Sequence, residues 1–66
     1  MTIRLNGEPY EIAGPVTVSA LLESLDIDAR RVAVEHNLVV IHRDAYPTTA
    51  LNEMDEVEIV NFVGGG

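Results

Sequence analysis

The sequence predicts an α+β domain in which a small mixed sheet carries one main helix packed on one of its faces. Three observations lead there. Polar and apolar residues alternate through several short β-branched segments, apolar residues recur at helical spacing in one segment, and 66 residues leave room for one hydrophobic core. The elements follow the order strand, strand, helix, strand, strand, strand, with no internal repeat, linker or second domain. Residues 1–66 are therefore read as a single domain.

The first two strands come from Thr2-Ile3-Arg4-Leu5 and Tyr10-Glu11-Ile12, joined through Asn6-Gly7, the strongest short hairpin signal. Pro9 cannot donate a ladder hydrogen bond, so the second strand belongs at a sheet edge, and Gly14-Pro15 ends it. Val18, Leu21, Leu22 and Leu25 then fall on one face of a short helix with Thr17 as its N-cap. Asp26-Ile27-Asp28 closes that helix, and its apolar face must lie on the sheet, because so short a helix is marginal alone.

Val32-Ala33-Val34-Glu35 and Leu38-Val39-Val40-Ile41 read as two adjacent strands with His36-Asn37 between them, the first being the more central. Residues 43–51 lack a period, and Tyr46-Pro47 breaks any helix, so a loop with at most one helical turn is expected, pinned by Tyr46 and Leu51. The last strand spans residues 56–62, with Val57 and Ile59 on one face and Glu58, Val60 and Phe62 on the other.

Composition narrows the chemistry. Eleven carboxylates face four arginines and no lysine, a formal charge of −7 that disfavours nucleic acid and anionic membranes and favours a basic protein surface. The absence of cysteine excludes disulfides and thiolate chemistry. The longest apolar run, residues 38–41, is far short of the ~20 residues that span a bilayer, so a soluble, cytoplasmic chain is expected. His36 and His42 have no third ligand in the pattern and read as surface residues rather than a metal site. No nucleophile with a base and no phosphate loop accompanies the carboxylates, so the chain is not read as an enzyme.

The sequence ends in Gly64-Gly65-Gly66 directly after the last strand. Glycines bury no side chain and are costly to order, which predicts a mobile, extended arm over 64–66. Such an arm can thread a channel too narrow for any Cβ and present a carboxylate to another protein's active site. Activation as an acyl-adenylate would make that carboxylate an electrophile for a sulfur nucleophile.

The segments Leu5-Asn6-Gly7-Glu8, Thr17-Val18-Ser19-Ala20-Leu21-Leu22, Val32-Ala33-Val34-Glu35-His36-Asn37, Val39-Val40 with Arg43, and Val57 through Gly66 together resemble the ThiS family of sulfur carrier proteins in thiamine biosynthesis. The resemblance covers essentially the whole chain and implies the β-grasp fold of ubiquitin. It implies that Gly66 is adenylated by an ATP-dependent activating enzyme, converted to a thiocarboxylate with sulfur from a donor protein, and used by thiazole synthase. Gly65 and Gly64 then pass through the partner's channel, the carrier binds no cofactor, and ATP is consumed by the activating enzyme. Carriers of molybdopterin synthesis share the fold and the Gly-Gly ending. A ubiquitin-like modifier, or an interaction module without terminal chemistry, also remains open.

Two further expectations concern this resemblance. The family usually has Gly-Asp in the turn before the last strand, where Met54-Asp55 stands here. A positive φ at methionine costs roughly 1 kcal/mol, so the turn either bears that strain or adopts another geometry. Val60, Phe62 and Glu58 form a candidate docking surface beside the tail, and Glu53, Asp55, Glu56 and Glu58 are expected to gather at that same end, facing a basic rim on the partner.

Overall fold

A computed structural model of the chain describes residues 1–62. The predicted arm over 64–66 lies outside the described residues. Five strands, β1 (Thr2–Leu5), β2 (Glu8–Glu11), β3 (Val32–His36), β4 (Val39–Ile41) and β5 (Glu56–Asn61), form one sheet in the order β2-β1-β5-β3-β4. β5 runs parallel to β1 and antiparallel to β3, and both hairpins are antiparallel. One α-helix among the described residues, α1 (Val18–Ser24), covers one face.

Local chemistry explains most boundaries. Asn6 and Gly7 take φ of 50° and 85°, the left-handed pair that a two-residue hairpin requires. Pro9 pairs with Arg4 on the edge strand, as expected, although β2 begins two residues earlier than Tyr10 and stops at Glu11. Thr17 Oγ1 accepts the backbone N–H of Ala20 at 3.1 Å and caps α1. At the other end Asp26 adopts a φ of 59°, and the N–H groups of Asp26 and Ile27 return to the carbonyls of Glu23 at 3.0 Å and Leu22 at 2.9 Å. That is a Schellman closure made without glycine.

Alternation decides the core. Ile3, Val34 and Val57 point from three neighbouring strands at Val18, Leu21 and Leu22 of α1, and all six are buried. Tyr46 and Leu51 are buried with them and pin the segment before β5, as predicted. The segment is tied to the helix start by Val18 N–H to Thr49 O and Leu51 N–H to Val16 O, both 2.9 Å.

Three readings are corrected, and one element is added. The second hairpin turns at Asn37-Leu38 (φ 51° and 70°), one residue beyond His36-Asn37, so His36 belongs to β3 and Leu38 to the turn. Residues Arg43–Thr48 form a six-residue 3₁₀ helix with Pro47 inside it, because proline's fixed φ suits that geometry. A further 3₁₀ turn, Ala29–Arg31, is capped by the Asp28 carboxylate, which accepts the Arg30 N–H at 2.9 Å. β5 stops at Asn61, although one more hydrogen bond, Phe62 N–H to Arg31 O at 2.9 Å, continues its line.

Met54 does adopt a positive φ, 67°, with a side chain 60% exposed. Nothing buried depends on that side chain, while its Cβ strains the turn. Met54→Gly is therefore expected to stabilise the domain by ~0.5–1 kcal/mol after the entropy cost of glycine. In thermal unfolding this corresponds to a midpoint roughly 2–8 °C higher. An unchanged midpoint would show that the turn carries no strain.

Candidate functional site

The candidate docking residues Glu58, Val60 and Phe62 lie on or just beyond β5. This strand is held on both sides. β1 pairs with it through Arg4↔Glu56 and Leu5↔Val57 and then ends, while β3 pairs with it from Val57 to Asn61. Where β1 has ended, the side chain of Asn6 takes over: its Oδ1 accepts the N–H of Ile59 at 2.7 Å, and its Nδ2 donates to the Ile59 carbonyl at 3.3 Å. An amide side chain thus imitates one residue of a neighbouring strand. The sequence reading used Asn6 only as a turn residue and missed this role, for which the Asn-Gly pair gives no separate signal.

With Val57 and Ile59 turned inward, Glu58 and Val60 face away from α1, as the alternation predicted, while Phe62 lies one residue past the strand. Val60 is 56% exposed and Phe62 63% exposed. Across β3 on the same side stands Val40 of β4, 69% exposed. Phe62 borders a shallow groove of about 380 Å³ shared with Ala29, Val32, Ala33, Val40, Ile41 and Tyr46, with His42 and Arg43 also in its lining. The result is an apolar strip at the root of the terminal segment. Gly64, Gly65 and Gly66 lie outside the described residues.

The acidic residues do not gather as expected. Glu53, Asp55 and Glu56 stand before or at the start of β5, and six residues of strand at ~3.3 Å each put them ~17 Å from its tail end. Asp55 is also not available to a partner. Its carboxylate meets His36 Nε2 at 2.6 Å, Asn37 Nδ2 at 3.2 Å and the Asn52 N–H at 2.8 Å. Asn37 in turn accepts the Glu56 N–H at 2.9 Å. His36, expected at the surface, is therefore largely covered within this network, whereas His42 is exposed. Among the described residues no three His, Cys, Asp or Glu side chains group as metal ligands.

Burial pushes the Asp55 carboxyl up, but the hydrogen bonds from His36, the Asn52 backbone and Asn37 outweigh it, and its pKa falls below the ordinary 3.8. A folded-state pKa below the unfolded value means stability that is fully present above about pH 4 and lost as pH falls through the lowered value. No helix among the described residues is long and apolar enough to cross a membrane.

A mixed five-stranded sheet in this order, with one helix across one face, defines a ubiquitin-like β-grasp domain. The family model of the ThiS family matches residues 3–66. The crystal structure of a thiamine biosynthesis protein (ThiS) from Geobacter metallireducens superposes with a TM-score of 0.87 at 36% identity, covering all of both chains. The sulfur carrier protein ThiS of Bacillus subtilis is 40% identical over 65 residues, 97% of this chain and 98% of that protein. A thiazole synthase from Paramagnetospirillum magneticum is 44% identical over all 66 residues, and the chain spans 20% of that protein's length. The chain belongs to the ThiS family.

The polar network yields a prediction. Asp55→Asn is expected to lower the unfolding midpoint at pH 7 and to make the fall in stability below about pH 4 shallower than in the wild type, leaving the share that Asp28 contributes. Unfolding curves of the two proteins between pH 2 and 7 check this, and parallel curves would show that the carboxylate contributes nothing through its charge.

Proposed function

We propose that this chain is a sulfur carrier in thiamine biosynthesis, with the Gly66 carboxylate as the group that is loaded. The observation that carries the reading is the family match from residue 3 to residue 66, which includes the three terminal glycines. An ATP-dependent activating enzyme brings the carboxylate oxygen onto the α-phosphorus of ATP, and pyrophosphate leaves. A hydrosulfide equivalent from a sulfur donor protein then attacks the acyl carbon, AMP leaves, and a thiocarboxylate remains. The loaded carrier delivers its sulfur to thiazole synthase for the thiazole ring.

In this reading the chain is a protein co-substrate in the cytoplasm. It binds no cofactor, and the ATP belongs to its partner. Its own residues contribute position. Asn6 and β3 hold β5 on both edges as far as Ile59, and β3 continues alone to Asn61. Val60, Phe62 and Glu58 stand exposed at that end of the strand as a docking surface, and Gly64 and Gly65 carry no Cβ to clash in a narrow channel. The similarity of the whole chain to part of a protein named thiazole synthase supports that enzyme as a partner.

The test is direct. The purified chain is incubated with ATP, the activating enzyme of its organism and a sulfur source, and the masses of the intact chain and of its C-terminal peptide are measured. Replacement of one oxygen by sulfur at Gly66, absent when Gly66 is deleted, is the expected result. Failure to acquire sulfur, with an enzyme shown to load another carrier, refutes it.

A further inference from the structure

The outer face of the sheet opposes two like charges. Register sets Glu58 of β5 directly across from Glu35 of β3, and both point away from the core because Val57, Ile59 and Val34 point into it. Directly opposed residues hold their Cβ atoms about 5 Å apart, and like charges in such a pair are destabilising. Among the described residues neither carboxylate has an ion-pair partner. Arg4 lies on the same face beyond β5, opposite Glu56; it lines a small pocket with Glu56 and Glu58 without ion-pairing to either, and donates its hydrogen bond to the Gly7 carbonyl at 2.9 Å.

Apolar side chains flank the pair. Val40 stands across from Glu35 on β4, and Val60 follows Glu58 on the same face of β5 with Phe62 beyond it. Three strands therefore present one surface, apolar along the tail side and anionic toward its middle.

We infer that this face docks a protein surface that lays an arginine guanidinium between Glu35 and Glu58 and covers Val40, Val60 and Phe62 with apolar side chains. The inference rests on the carrier reading and takes the activating enzyme as the partner. A guanidinium suits the site because its planar fork serves two carboxylates at once, while its stem lies along the neighbouring valines. A second copy of this chain does not suit it: each copy carries −7, with four arginines against eleven carboxylates. Docking relieves the repulsion between Glu35 and Glu58, so the free carrier gives up some stability that reappears as affinity. Glu35, which lies off the strand leading to the tail, thereby becomes a residue of the interface.

Stability and binding must then move in opposite directions. Glu35→Gln and Glu58→Gln, singly and together, are compared with the wild type by thermal unfolding and by binding kinetics with the activating enzyme at low and high salt. Each single variant is expected to melt about 1–4 °C higher and to bind roughly three- to five-fold more weakly, chiefly through slower, less salt-sensitive association. A double variant that binds like the wild type overturns the inference, and so do variants that melt lower, since the carboxylates would then be structural. Sulfur loading of Gly66 is read separately in the same samples. Normal loading with unchanged binding removes only the docking assignment, whereas a wild-type chain that neither binds nor loads removes both readings.

Discussion

The central place of β5 is the constraint on which the rest of the molecule depends. A strand with neighbours on both sides must satisfy two rows of backbone groups, and the neighbours here are unequal. β3 supplies five paired positions, while β1 supplies two before the chain turns back into β2. The deficit falls at Ile59, and the Asn6 amide makes it up by meeting both the N–H and the carbonyl of that residue. A strand left open at that position would fray within reach of water, and the point from which the terminal segment departs would no longer be fixed. The first turn of the chain thus governs the geometry of its last strand.

The two ends of β5 do different work. At its start, Asp55, His36, Asn37 and the Asn52 backbone form a connected polar cluster that locks the β3–β4 hairpin to the turn preceding β5. Two residues with unfavourable positive φ, Leu38 and Met54, belong to those same two turns. Strain of this kind persists only where surrounding contacts over-determine the backbone, and the cluster supplies those contacts. At the other end of β5, Val60 and Phe62 are exposed, and Phe62 borders a groove that is mostly apolar but also lined by His42 and Arg43.

Much of this was legible in the sequence because the signals were redundant. For α1 the spacing of Val18, Leu21, Leu22 and Leu25, the capping threonine and the closing Asp26 all agreed, and the helix formed where they placed it. The inward and outward faces of β5 followed from alternation alone. The second hairpin slipped by a residue because Leu38 adjoins the β-branched run Val39-Val40-Ile41, and its apolar character masked a turn position normally given to glycine or asparagine. Pro47 misled in a similar way, since the rule that proline breaks helices concerns the α-helix interior and not a short 3₁₀ segment. The roles of Asn6 and of the His36–Asp55 pair were not legible at all. Each joins residues distant along the chain, 53 apart for Asn6 and Ile59 and 19 apart for the pair, and no local pattern encodes such a meeting.

The same sorting bears on the meaning of the acidic composition. A net charge of −7 suggests a uniformly anionic surface, yet the carboxylates are not equivalent. Asp28 is engaged by Arg30, whose hydrogen bonds bring its pKa down to about 2, and Arg31 lies 3.8 Å from it. Asp55 is committed to the polar cluster. Among the nine carboxylates that remain, Glu35 and Glu58 stand as a directly opposed pair beside the exposed apolar strip, where neither capping nor network formation explains them. Charge that stabilises the fold is already compensated within it. Charge left opposed on a flat, partly apolar face is costly to the free protein, and a cation brought by another molecule is what would offset that cost.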